Sequence, residues 1–98
     1  AVLRKLGESA RHKGDMLLGL VTDAQLIDAA RHRRWLSALV KMAQETPGNL
    51  ELMQGWIAKW EPLADKAIEA YCDALPDVAD AAASAKAATR EFRRSLGL

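Results

Sequence analysis

The side chains best suited to metal binding in this 98-residue sequence are its two histidines, each of which follows an acidic residue by four positions. Glu8 precedes His12 and Asp28 precedes His32, a spacing that places both members of a pair on one face of a helix. A carboxylate-bridged di-iron site in a helical bundle instead needs Glu-x-x-His motifs, with the acid three residues before the histidine. Two isolated pairs offer too few ligands. We therefore predict helical ion pairs at both places and no metal site on this chain.

The sequence also lacks a nucleophile for covalent catalysis. Cys72 is the only cysteine, and with no second cysteine or nearby histidine it is predicted to be a small packed side chain. The serines have no glycine elbow, and the six glycines are too scattered for a phosphate-binding loop. We predict no catalytic residue here. A lone cysteine fits a reducing cytoplasm, and no apolar run approaches the ~20 residues of a membrane span.

One local concentration of charge stands out, the stretch Arg31-His32-Arg33-Arg34-Trp35. Its potential cations and its aromatic ring could bind phosphate and stack a nucleic-acid base. However, the five residues spread around about 1.4 turns of a helix, and the net charge of the chain is only +1. Two other interpretations stay open: a protein interface in which arginines pair with carboxylates, and a solvated face in which arginine stems cover apolar surface.

These residues are positioned by three predicted helices, at 22–45, 50–74 and 77–96, which follow an N-terminal segment of residues 1–21. Pro47 and Gly48 mark the first break between these helices, and Pro76 marks the second. Thr22 and Gln25 predict a capping box where the first helix begins. The second helix has an apolar stripe at spacings of three and four residues, interpreted as core or as core plus interface. Its members are Met53, Trp56, Ile57, Trp60, Leu63, Ala64, Ala67, Tyr71 and Ala74. The sequence therefore predicts an all-α fold without strands.

Apolar residues make up 50% of the chain, and three of them are tryptophans. A chain of this length buries only roughly 60–70% of its unfolded surface, so three helices cannot cover this much apolar area. The excess predicts a protein partner. The residues predicted to contact it are Arg33, Arg34, Trp35, Trp56 and Trp60.

Two runs in the sequence resemble a known family. The run from Arg31 to Val40, and the run from Asn49 to Ala67 with its Trp56-x-x-x-Trp60-x-Pro62 arrangement, are similar to the β subunit of bacterial multicomponent di-iron monooxygenases, in the phenol hydroxylase and toluene monooxygenase group. An alanine-rich last helix follows in both. The resemblance covers most of the chain from about residue 20 onward. Since β subunits are about three times as long, it implies a C-terminal part of such a subunit.

The resemblance implies a ferritin-like helical fold and a hydroxylase built from paired α, β and γ subunits. In this family the α subunit holds the di-iron site, and electrons come from NADH through a separate reductase. The chain is then a non-catalytic, structural part of an enzyme complex that oxygenates phenol or related aromatics, with no cofactor of its own. Its expected partners are the α and γ subunits and a second β copy. The alternatives are a small helical nucleic-acid-binding module that uses Arg31 to Trp35, and a free-standing helical adaptor.

Overall fold

Four α-helices and one short 3-10 turn account for nearly all of residues 2–98, which the computed structural model describes. The helices are α1 (Val2–His12), α2 (Met16–Gln44), α3 (Asn49–Ala74) and α4 (Ala82–Ser95), and the turn is Pro76–Val78. No strand occurs in this range, so the all-α prediction is confirmed. None of these helices combines the length and the apolar character needed to cross a membrane.

Helix α2 begins at Met16, and the predicted start at residue 22 was wrong. The carboxylate of Asp15 accepts a hydrogen bond from the Leu18 N–H at 3.0 Å and so caps the helix about two turns before Thr22. Thr22 lies inside the helix, fully buried, and its hydroxyl donates to the Gly19 carbonyl at 2.9 Å. The apolar residues before Thr22 therefore form the first turns of α2 rather than a separate segment.

Helices α1 and α2 approach each other closely because glycine lies at their contact. A Cβ atom on Gly7 would come within 2.5 Å of the Thr22 hydroxyl oxygen, and one on Gly19 would come within 3.2 Å of Arg11 Cγ. The Thr22 hydroxyl cannot simply rotate away, because it is hydrogen-bonded to the backbone carbonyls of Leu18 and Gly19 in α2. An ion pair between Arg11 and Asp23 joins the same two helices. This contact places α1 antiparallel along the first half of α2.

We expect Gly7→Ala to lower the free energy of unfolding by about 1–3 kcal/mol, because the added methyl group must push Thr22 or the whole of α1 aside. Gly55→Ala is the matched control. It also replaces a glycine inside a helix, but nothing lies within 4 Å of the new atom. The control should raise the free energy of unfolding by up to about 1 kcal/mol. Urea titrations of both variants measure the difference, and a change of the same sign in both would contradict this account of the α1–α2 contact.

Helix α3 closely follows its prediction, whereas α4 starts at Ala82 rather than at residue 77. Residues 76–78 form the 3-10 turn instead, and the Asp77 carboxylate lies 2.5 Å from Lys13 Nζ of the α1–α2 connection. Asp77 thus pairs with a lysine from elsewhere in the chain and does not cap α4. Val78 is fully buried beside Cys72, which confirms the interpretation of the cysteine as a packed side chain.

The buried core of residues 2–98 is very small. Cys72, Val78 and Ala81 form its centre, and Val2, Leu6, Ile68, Leu75 and Ala82 pack against them. This cluster joins the start of α1 to the end of α3. Farther along, α4 is tied to α2 by a hydrogen bond from the Gln44 amide to the Leu96 carbonyl at 2.7 Å. Helix α1 thus packs mainly against α2, and α4 packs mainly against α3.

The result is a flat and elongated arrangement of helices. Its principal-axis extents are 52 × 25 × 14 Å, so one dimension is much smaller than the other two. Its radius of gyration is 15.8 Å, against about 13 Å for a compact domain of this length. It exposes 6988 Å², whereas a folded monomer of this mass exposes about 5,500 Å². Domains normally bury an apolar core between packed layers, whereas this arrangement leaves many large apolar side chains exposed.

Candidate protein interface

The three tryptophans of the chain are all on its surface. Trp35 on α2 is 66% exposed, and Trp56 and Trp60 on α3 are each 52% exposed. Large aromatic side chains normally lose most of their exposed area on folding, and they are enriched where proteins contact one another. The fold therefore positions the predicted aromatic interface residues where another chain can reach them.

Trp56 and Trp60 stack on each other on the outer side of α3. Their rings are stacked with centroids 6.5 Å apart and planes inclined by 13°. The ammonium group of Lys59 lies over both rings, 5.2 Å from the centre of Trp56 and 5.5 Å from that of Trp60. The lysine is held by the faces of the rings, which carry negative charge. This arrangement presents two indole rings and a positive charge together.

A shallow groove runs beside the tryptophan pair. Its floor is Gly55, and a Cβ atom at that position would meet nothing within 4 Å. Glu51 and Lys59 lie one helical turn before and one turn after the glycine. The lining residues are Gly48, Glu51, Leu52, Gly55, Trp56 and Lys59. We call this surface the α3 groove.

The opposite side of α3 packs against α4 with a row of ion pairs. Arg90 makes two hydrogen bonds to the Asp65 carboxylate, at 3.2 and 2.5 Å, and Arg93 Nε lies 3.4 Å from Glu61. Lys86 pairs with Glu69 one turn farther along. The hydrogen bonds from Arg90 lower the pKa of Asp65, and the bond to Asp65 raises the pKa of Arg90. This ionic contact turns much of the apolar stripe of α3 outward.

The basic stretch of α2 is divided between different surroundings. The Arg33 guanidinium lies 5.4 Å from the centre of the Phe92 ring, so it faces α4 of its own chain. Arg31 lies 4.0 Å from Asp28, whereas Arg33 and Arg34 both line a cleft between α1 and α2. Arg31 therefore has different surroundings from the other two arginines. The pairing of Arg33 and Arg34 with carboxylates of a neighbouring chain stays a prediction.

The outer side of α2 carries exposed apolar residues from its first turn to its last, with the charged Arg31 between Ile27 and Trp35. Helical spacing places a set of large apolar residues on this side, and each is at least 64% exposed. They are Met16, Leu17, Leu20, Ile27, Trp35 and Met42. An uncovered apolar strip of this extent is typical of a helix that packs against further helices.

The histidines do not assemble a metal site. His12 ends α1 and His32 lies in the middle of α2, and no group of three His, Cys, Asp or Glu side chains among residues 2–98 could hold a metal ion. Asp28, the acid four residues before His32, lies beside Arg31 instead. The donor set of this part of the chain does not fit a carboxylate-bridged di-iron centre.

Sequence reasoning did not identify the residues around the tryptophan pair. Gly55 lies inside a predicted helix, where no turn requires a glycine. Glu51 and Lys59 lie four residues before and four residues after it and carry opposite charges. That pattern was visible in the sequence and could have marked the α3 groove. The ionic contact had a weaker signal, the helical spacing of Glu61 and Asp65 and of Arg90 and Arg93.

Two comparisons relate this chain to known proteins. A family model described as methane/phenol/alkene hydroxylase matches residues 1–47, which include the N-terminal segment that the resemblance had left out. Over 75 residues, or 76% of the chain, the sequence is 49% identical to the β subunit of the hydroxylase component of the toluene-4-monooxygenase system of Ectopseudomonas mendocina. The chain spans 23% of the length of that relative.

Proposed function

We propose a function for this chain on one premise: it belongs to the family of methane, phenol and alkene hydroxylases. Its role is structural and non-catalytic. As part of a β subunit, it holds together a hydroxylase component in which another subunit carries the di-iron centre and performs the oxygenation. The substrate class we propose is small aromatic compounds such as toluene and phenol, because the relative at 49% identity is named for toluene.

The observation that carries this proposal is the exposed apolar surface of α2 and α3. Large apolar side chains on both helices, Trp35, Trp56 and Trp60 among them, are more than half exposed and need neighbouring helices to cover them. A subunit within a larger helical assembly meets that need, whereas a free-standing adaptor would keep this surface in water. The donor set of residues 2–98 also suits a chain whose partner supplies the metal ligands.

The partners proposed are the α and γ subunits of a hydroxylase and a second copy of the β subunit. Co-expression of this chain with α and γ subunits, followed by affinity purification and iron analysis, tests the proposal. We expect the three chains to purify together and the iron to follow the α subunit. Iron bound stoichiometrically to this chain alone, or turnover of an aromatic substrate by it alone, would overturn the proposed role.

A matched pair of variants makes this experiment specific to the surface. Trp35→Asp places a charge on the exposed apolar side of α2 and should prevent co-purification. Gln25→Asp places the same charge at an exposed position on a different side of the same helix and should leave co-purification intact. Circular dichroism of both isolated variants checks that helix content is unchanged.

A further inference from the structure

Gly55 occupies a place where glycine brings no benefit to its own chain. It lies inside α3, where glycine is less favourable than alanine, and no atom of residues 2–98 approaches the space that a side chain would fill. Glycine inside a helix is useful where a second backbone must come close. The open side of Gly55 is therefore suited to contact with a helix that does not belong to residues 2–98.

The charges beside Gly55 have no oppositely charged partner within residues 2–98. Glu51 and Lys59 are both exposed, and within residues 2–98 neither takes part in a salt bridge. Lys59 is nevertheless positioned, because the rings of Trp56 and Trp60 hold its ammonium group. The incoming helix should thus carry a positive charge opposite Glu51 and a negative charge opposite Lys59.

A second copy of α3 provides both charges in one orientation. When two identical helices cross antiparallel at residue 55, a residue four positions before the crossing lies beside one four positions after it. Glu51 of each copy then faces Lys59 of the other, and the contact forms twice. A parallel crossing would place Glu51 against Glu51 and Lys59 against Lys59. Two-fold symmetry with such self-complementary contacts is the commonest way for identical chains to associate.

The apolar residues of the groove fit the same arrangement. Leu52 is 61% exposed, and Trp56 stands one residue beyond the crossing point. In the antiparallel pair, the Trp56 ring of one copy lies level with Leu52 of the other to within about one turn. Each copy would thereby cover the groove of its partner with a large apolar side chain.

We propose that a second copy of this chain docks in the α3 groove, with the two α3 helices antiparallel, Gly55 against Gly55, and Glu51 of each copy paired with Lys59 of the other. The proposal deepens the proposed function by locating the contact between two β copies. It depends only on the surface of α3, so it can fail while the structural role in a hydroxylase stands.

Charge exchange tests the pairing directly. We expect Glu51→Lys and Lys59→Glu each to weaken self-association of the 98-residue chain at least about tenfold in sedimentation equilibrium, because each variant opposes like charges twice. An equimolar mixture of the two variants should form a mixed dimer, since its two charge pairs are again opposite. The double variant E51K/K59E should associate like the unchanged chain.

Controls separate this pairing from general charge and from misfolding. Glu91→Lys and Lys66→Glu alter exposed charges outside the groove and should leave self-association unchanged. Gly55→Leu should abolish pairing at unchanged helix content, whereas Ala70→Leu, exposed and four turns away on α3, should not affect it. The proposal is overturned by a monomeric unchanged chain, by absence of the mixed dimer, or by a double variant as weak as the single ones. If co-purification with α and γ subunits persists in that case, only the docking proposal has failed.

Discussion

Replacing Trp56 and Trp60 together by alanine should hardly change the unfolding of the isolated chain but should remove its assembly with hydroxylase subunits. Each side chain is about half exposed, so little packing is lost within the chain. At an interface, truncation of a central aromatic residue commonly costs about 2–4 kcal/mol, which is roughly thirtyfold or more in affinity. Loss of a large aromatic side chain typically costs roughly 3–5 kcal/mol. We expect this loss to weaken the free energy of assembly and to leave the free energy of unfolding nearly unchanged. Urea unfolding and quantitative pull-down measure the two effects separately.

Phe92→Ala is the informative control for the tryptophan variant. Phe92 is half-buried, and its ring lies under the Arg33 guanidinium. Its removal should lower the free energy of unfolding and affect assembly only through that loss. If the double tryptophan variant destabilises the isolated chain as much as Phe92→Ala does, the rings contribute to folding and not to an interface.

Replacing Arg90 by alanine should weaken the packing of α4 against α3. Arg90 makes the paired hydrogen bonds to Asp65 and lies beside Glu61, so its loss leaves two carboxylates facing an alanine. We expect amide protection in α4 to fall about tenfold or more while α1 and α2 keep theirs. Arg94→Ala is the matched control, because Arg94 is exposed and forms no salt bridge within residues 2–98. Hydrogen exchange that is equal in both variants would contradict the role of Arg90.

The same contact has a defined dependence on pH. The hydrogen bond from Arg90 lowers the pKa of Asp65 below its value in the unfolded chain. The ion pair therefore stabilises the fold above the unfolded pKa, and this stabilisation is lost as the pH falls through the lower, folded pKa. Lys13 and Lys5 lower the pKa of Asp77 and Asp80 in the same way. Acid should thus loosen tertiary contacts before it melts the helices, and near-ultraviolet circular dichroism should change before the far-ultraviolet signal.

Helix content and the ends of α3 could be predicted from the sequence because they depend on local signals. Pro47 and Gly48 stop one helix, and Pro76 stops the next. The start of α2 could not be chosen in this way, because Asp15 and Thr22 both offer a suitable cap. What decided between them was the contact of α1 with Gly19 and Thr22, and a contact between distant residues is not visible in a local pattern.

Helical periodicity alone also could not predict which face of α3 packs against the rest of the chain. Its apolar residues and its acids Glu61 and Asp65 both recur at helical spacing, so two faces were available for packing. The complementary charges of Arg90 and Arg93 on α4 selected the acidic face. Of the predicted interface residues, the structure brings Trp56 and Trp60 together, and it turns Arg33 toward its own chain. Charge pairing between helices that are far apart in sequence is what the prediction lacked.

The number of large apolar side chains left at the surface has a consequence for how substitutions are tolerated. In most globular proteins the residues with the least solvent contact are the ones that change least freely. Here the ranking should change once the chain is surrounded by its neighbours: leucines, methionines and tryptophans that face water in the isolated chain become interior positions. The half-buried charged residues between α3 and α4 could, in contrast, be replaced by another matched pair. Mutational scanning of the isolated chain and of the assembled enzyme would therefore yield two different maps of the same 98 positions.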